Sequence, residues 1–217
     1  MLWKGVIFMT SKLSLKKWVY ISIPILFAIG SCFHFLFELS GKNPAVGAIA
    51  AVNESVWEHS KMLLLPILGW WFIFYLTKGK KYGIDPRRWF SGMLVSVAAA
   101  ILTIFLVFYF YTGAFGVECL VVDILLLLLS DAVGQLLGYH VYNYGKGISV
   151  FLTAAAALLL VVIYVVWTFN PPHLPLFLDE ASGKYGIQLK RSAFSAYSSS
   201  PFVLIHQLIN MLVKFLN

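Results

Sequence analysis

Five stretches of this chain, at residues 18–37, 62–76, 90–111, 119–139 and 148–169, are apolar over lengths that approach or match the hydrocarbon thickness of a bilayer. A helix needs about 20 such residues to cross, and only helices and closed barrels leave no backbone polar group unpaired there. The connections between the stretches are too short to hold a soluble domain. The expected fold is therefore an all-α integral membrane protein, a bundle of five transmembrane helices. Composition agrees: 60% of the 217 residues are hydrophobic and 12% charged, whereas a soluble domain carries about 25% charged residues. The sequence divides into a basic N-terminus at 1–17, a membrane domain at 18–187 and a C-terminal extension at 188–217.

A net charge of +7 would suit a nucleic acid, but its distribution does not. Lys4, Lys12, Lys16 and Lys17 precede the first stretch, Lys78, Lys80, Lys81, Arg87 and Arg88 fill the second connection, and Lys146 lies in the fourth. The alternate connections carry Lys42 and Lys61. Lys and Arg accumulate in cytoplasmic loops, so the excess encodes topology. The N-terminus is expected in the cytoplasm, with the bilayer rather than nucleic acid as the partner. Lys184, Lys190, Arg191 and Lys214 in the tail depart from this pattern.

Ile29-Gly30-Ser31-Cys32 resembles the box at which bacterial lipoproteins are cleaved. Apolar character nevertheless continues through Phe37, beyond the roughly 7–15 residues of a cleavable segment. An uncleaved first helix is expected, with Cys32 packed as a small side chain. Cys32 and Cys119 are too few for a disulfide framework.

Opposite the basic connections gather seven of the nine acidic residues and three of the five histidines: His34, Glu38, Glu54, Glu58, His59, Glu118, Asp123, His173, Asp179 and Glu180. Ionisable groups at a bilayer surface are costly and sit in a protein interior or a wet cavity. His34 and Glu38 are one helical turn apart. The run Asn53-Glu54-Ser55-Val56-Trp57-Glu58-His59 opens the second helix. Asn53 is its expected N-cap, and Glu54 and Glu58 would share a face near its positive end, with His59 about 100° further round. Trp70, Trp71 and Tyr75 read as an aromatic belt at the membrane boundary.

The third stretch is nearly featureless and reads as a packing or lipid-facing helix. The fourth carries Asp123, Asp131 and Gln135 on one stripe, with Gly134 and Gly138 spaced for close backbone approach. Asp131 falls near mid-bilayer, where an ionised carboxylate is expensive unless paired, wet or protonated. Pro171, Pro172 and Pro175 end the fifth helix and favour an extended path that carries His173 and Asp179 across the surface. Ser198-Ser199-Ser200-Pro201 reads as a linker. Beyond it His206, Asn210, Lys214 and Asn217 form a polar stripe on a short apolar segment, expected as an interfacial helix.

His34 with Phe37-Glu38, Ser40-Gly41 and Asn43-Pro44, the Ala51 to His59 run, and the Thr168 to Asp179 segment (with Asn170-Pro171-Pro172-His173-Leu174-Pro175-Leu176-Phe177-Leu178-Asp179), Gly183 and Tyr185-Gly186-Ile187 together resemble one family. It is a group of uncharacterised multi-pass membrane proteins, found mainly in Firmicutes and filed as a domain of unknown function. The resemblance covers roughly residues 18–187 and implies a bacterial cytoplasmic membrane. Asp123 and Gln135 match its pattern; Asp131 does not. It implies no activity.

Function therefore rests on the polar cluster. His34, Glu38, Asn53, Glu54, Trp57, Glu58, His59, Asp123, Gln135, His173 and Asp179 are the expected ligand-binding residues of an outward-facing pocket for a small polar ligand or metal ion. His34, His59, His173 and Glu54 are the candidate ligands of a divalent ion, with zinc the natural choice for nitrogen and oxygen donors. A metal-bound hydroxide beside Glu54, Glu58 or Asp123 would make a membrane-embedded hydrolase. A structural or accessory subunit that docks a partner through this surface is the third reading. No Gly-rich phosphate loop, nucleophile elbow or intramembrane-protease motif is present. Topology is testable directly: a cysteine at Gly83 should resist an impermeant maleimide in intact cells and one at Asn43 should react, and reversed labelling would move the acidic surface into the cytoplasm.

Overall fold

The computed structural model describes residues 2–188, with side chains from Leu15 onward, so the expected interfacial helix at 201–217 lies outside the described residues. The elements are α1 (Leu2–Leu39), the single turn α2 (Pro44–Gly47), α3 (Val56–Tyr82), α4 (Pro86–Phe115), α5 (Leu120–Tyr144) and α6 (Val150–Phe169). A 3-10 turn at Pro175–Phe177 and a short antiparallel hairpin follow, pairing Leu178 with Tyr185 and Asp179 with Lys184. Five helical segments are long and apolar enough to cross a membrane: Leu15–Leu39 and the whole of α3, α4, α5 and α6. The chain runs back and forth between a basic end and an acidic end.

Helix boundaries follow capping chemistry more than apolarity. The α3 helix extends the 62–76 stretch by more than a turn at both ends. At its start Ser55 is the N-cap, its hydroxyl accepting from Glu58 N–H at 3.3 Å. Asn53, the expected cap, instead shapes the approach. Its Oδ1 accepts from Ser55 N–H at 3.0 Å, and its Nδ2 donates to the Gly186 carbonyl at 3.0 Å. At the far end α3 closes on Gly83, whose φ of 60° is the left-handed conformation glycine reaches without strain. The α1 helix runs back through the basic N-terminus to Leu2.

The seemingly featureless α4 is the central packing helix, contacting α3, α5 and α6. Its contact with α5 is set by glycine. A Cβ added at Gly134 would stand 2.5 Å from the Ser96 carbonyl oxygen, and one at Gly138 would stand 2.6 Å from that of Gly92. This closeness lets Gln135 act as a knot. Its Nε2 donates to Ser96 of α4 at 3.1 Å, while its Oε1 accepts from Ser22 of α1 at 3.2 Å and from Trp71 Nε1 of α3 at 3.1 Å. Gln135 is thus a buried structural amide well inside the bundle, away from the surface pocket expected for it. Trp71 is buried too, contrary to the expected aromatic belt, because its indole N–H has this partner and its carbonyl accepts from Trp89 Nε1 at 2.8 Å. Cys32, expected to be packed, is exposed on the outside of the bundle.

Asp131 is fully buried near the middle of α5, and neither carboxylate oxygen has a hydrogen-bond partner among the described residues. At the basic end the loop between α5 and α6 folds onto the start of α4. Gly147, at φ 74°, lies so close that a Cβ would meet the Arg87–Arg88 peptide at 2.8 Å, and Ile148 N–H donates to Ser91 Oγ at 2.8 Å.

Gly134→Ala should lower stability in detergent by about 1–3 kcal/mol, because the methyl forces α4 and α5 apart. Gly113→Ala, where a Cβ has open space, should be neutral or slightly stabilising. Thermal unfolding of the two variants side by side checks the contrast.

Candidate functional site

The two glutamates of the α3 opening part company once the helix begins at Ser55. Glu58 falls inside the first turn and points into the bundle; Glu54 precedes the cap and stays in the open. Glu58 and Lys61 are 2% and 1% exposed, and their Oε2 and Nζ atoms are 2.6 Å apart. A buried ion pair needs further hydrogen bonds to offset its desolvation. Here Glu58 also accepts from Val52 N–H at 3.1 Å and Thr168 Oγ1 at 3.2 Å. Lys61 donates to the carbonyls of Gly47 at 2.9 Å and Ala50 at 3.1 Å. Glu58 is therefore the anchor of the acidic-end loops.

Trp57 is equally structural in its surroundings. It stacks on Tyr164 at 4.0 Å between ring centres and meets Phe177 at 4.8 Å and Trp167 at 5.0 Å. The proline-rich segment that follows α6 folds over this ring instead of lying extended, because Phe177 is buried there and Ile187 N–H returns to the Thr168 carbonyl. Within it His173 stacks on Tyr185 at 4.6 Å, and Asp179 accepts from Ala181 N–H and Ser182 Oγ in a local turn.

What remains open to solvent is compact. The Nε2 of His59 stands 3.2 Å from Glu54 Oε2, and the Nε2 of His34 stands 3.9 Å from Glu54 Oε1. The two imidazoles are 5.3 Å apart between centres. Each of the three residues offers one ligand atom, and these atoms lie within 4.8 Å of one another. Among the described residues this is the group of histidine and carboxylate side chains with metal-ligand spacing; His173 is not a member. Glu38 is outside it as well, paired with Lys42 at 3.1 Å in an exposed i,i+4 bridge.

The hydrogen bond with His59 holds the Glu54 carboxyl below the usual carboxylate range; partial burial opposes this, and both imidazoles reinforce it. A second acidic group adjoins the first. Asp123 accepts from Tyr111 Oη at 2.5 Å. Burial, a hydrogen bond with Glu180 and the charges of Glu180 and Asp123 push the Glu118 carboxyl up, with His59 near enough to pull it back. Glu118 and Glu180 therefore share the acidic end with the imidazole pair, as the segregation of charge in the sequence implied.

Tyr164 was not among the residues expected here, whereas Thr168 opens the segment that carries the family resemblance. Both are hydroxyl-bearing residues one turn apart near the end of a strongly apolar helix. Tyr164 Oη lies 2.6 Å from Ser60 Oγ, so both residues fasten α6 to α3.

A bundle with five bilayer-length apolar helices defines a multi-pass membrane protein. Its lineage can be stated more closely. The chain belongs to a family of unknown function, DUF6512, whose family model matches residues 8–187. No curated protein and no solved structure matches it.

Lys61→Met should cost about 3–5 kcal/mol, since it strands the Glu58 carboxylate in the interior. Glu58→Gln combined with Lys61→Met should return part of that loss. Chemical unfolding of the three proteins measures the difference, and equal losses in single and double variants would deny the pair its structural role.

Proposed function

We propose that the protein carries an outward-facing divalent-metal site formed by His34, Glu54 and His59, with zinc the ion its donors suit best. The observation that supports this is the approach of one ligand atom from each residue to within 4.8 Å of the others. Two imidazoles and one carboxylate are a donor set that catalytic zinc sites use, leaving a fourth position for water or ligand. Ligand atoms at about 2.0–2.1 Å from a tetrahedral ion stand roughly 3.3 Å apart, so closing on one takes side-chain shifts on the order of 1 Å. The basic charge at the opposite end of the bundle supports the outward orientation.

One feature sets the expected strength. His34 Nδ1 is buried with no hydrogen-bond partner among the described residues. Metal-bound imidazoles normally donate their other N–H to an acceptor, and loss of that partner weakens binding by about 10–100-fold. The site is thus expected to hold its ion exchangeably. A hydrolytic role would need a carboxyl as proton carrier beside the ion, and Glu54, within the same group of ligand atoms, is the candidate.

Purified protein should take up about one zinc ion per chain, gain thermal stability with it, and release it as falling pH protonates the imidazoles. Glu54→Gln, His34→Gln and His59→Gln should each remove the response while leaving the protein folded. His173→Gln should retain it. Equal zinc uptake by the wild type and a triple variant would sink the metal reading and leave a hydrogen-bonded polar pocket.

A further inference from the structure

At the basic half of the bundle α6 stands away from α3. Its side-chain bonds to α3, Ser60 with Tyr164 and Glu58 with Thr168, lie at the acidic end. Its start is instead held against α4 by the Gly147 loop and the Ile148–Ser91 hydrogen bond. Between these fixings α3, α4 and α6 enclose a groove of about 520 Å³. Phe72, Tyr75 and Phe90 form one wall, and Thr153, Ala154 and Ala157 form the other. The gap exists because the α6 wall is built of small side chains. The lining is almost wholly apolar, and the one hydroxyl in it besides that of Tyr75, Thr153 Oγ1, donates to the Val150 carbonyl at 2.8 Å.

Each of its three walls carries a basic residue just beyond the lining, toward the basic end of the bundle. Lys80 is one turn beyond the lining residue Leu76, Arg87 is one turn before Phe90, and Lys146 lies four residues before Val150. The tight fit of Gly147 on the Arg87–Arg88 peptide brings Lys146 to the start of α4. No ion pair joins Lys80, Arg87 or Lys146 to an acid among the described residues. The nearby carboxylate, Asp85, accepts from Arg88 N–H as the cap of α4. An apolar slot leading to three basic groups matches a molecule with a long hydrocarbon chain and an anionic head.

We propose that this groove binds one anionic phospholipid from the leaflet on the basic side, an acyl chain against Ala154 and Ala157 and the phosphate at Arg87 and Lys146. Basic pockets between transmembrane helices recognise such headgroups. A zwitterionic lipid has the same phosphate but adds a choline cation beside it, so with no net charge it is held less tightly by the basic groups. The proposal is independent of the metal site, which lies at the other end of the molecule.

The test uses full-length protein in detergent, titrated with phosphatidylglycerol or with phosphatidylcholine of the same acyl chains. Thermal midpoint and the number of lipids retained in native mass spectrometry are the readouts. Phosphatidylglycerol should raise the midpoint by on the order of 5 °C at about 100 times its Kd and remain bound as one molecule; phosphatidylcholine should do neither. Arg87→Gln with Lys146→Gln should abolish the effect by removing the anchor, on a surface that leaves the fold intact. Ala157→Leu should abolish it by filling the groove, while Ala155→Leu, outside the lining, should preserve it. An equal response to both lipids would overturn the proposal. So would a phosphatidylglycerol response that survives Ala157→Leu, which would reduce it to general attraction to a basic surface. Cross-linking of a cysteine at position 157 to a second copy, or to residues 201–217, would assign the groove to that occupant instead.

Discussion

The acidic end of this molecule depends on one buried ion pair. Glu58 and Lys61 lie in a membrane helix where neither would be tolerated alone, and their mutual attraction offsets desolvation only because both are saturated with further bonds. Those bonds reach the loop after α1 through Gly47, Ala50 and Val52, and the end of α6 through Thr168. A single pair thus fixes the loop that delivers Glu54, the helix that carries His59 and the helix from which the Phe177 segment returns. With those supports in place, two imidazoles and one carboxylate meet at the surface without any bond between their own backbones.

Two identical carboxylic acids four residues apart consequently have unlike chemistry. Glu58 faces a cation in a dry interior and is committed to structure. Glu54 faces two imidazoles at a wet surface, retains its negative charge into acid, and has lone pairs free for a ligand. Environment, rather than residue type, assigns these roles. The division is decided by whether the helix starts before or after residue 55, a matter of one hydroxyl reaching one amide.

That detail marks the boundary of what could be read from sequence. Apolar length located all five crossing helices, and the small-residue spacing at Gly134 and Gly138 located the closest helix contact, because both signals are local and periodic. Segregation of His34, Glu54 and His59 to one end was legible for the same reason: charge alternates between ends whenever helices alternate in direction. Lys61 was read as a loop residue because a lone lysine near an apolar stretch resembles a boundary marker; its burial depends on carbonyls of residues 47 and 50 that no helical period connects to it. Asn53 looks as good a cap as Ser55 until Gly186, far along the chain, claims its side chain. His173 fits a ligand set by composition, and a stacking contact with Tyr185 takes it elsewhere. Long-range partners decided each of these positions, and a single sequence does not contain them.

The Gln135 knot has a consequence for how this molecule can change shape. One side chain ties α1, α3, α4 and α5 together where water cannot compete for its bonds, so relative sliding of those four would strand buried donors and acceptors at once. They form the stator. The sixth helix shares none of those bonds; it packs on α4 and is fastened at its tip by Tyr164 and Thr168 and at its foot by one loop. A rocking movement of that helix about its tip would open or shut the apolar slot beneath it, and the same lever would drag on the Phe177 segment seated over Trp57. Among the described helices, α6 is thus the one whose displacement would leave the Gln135 bonds unbroken.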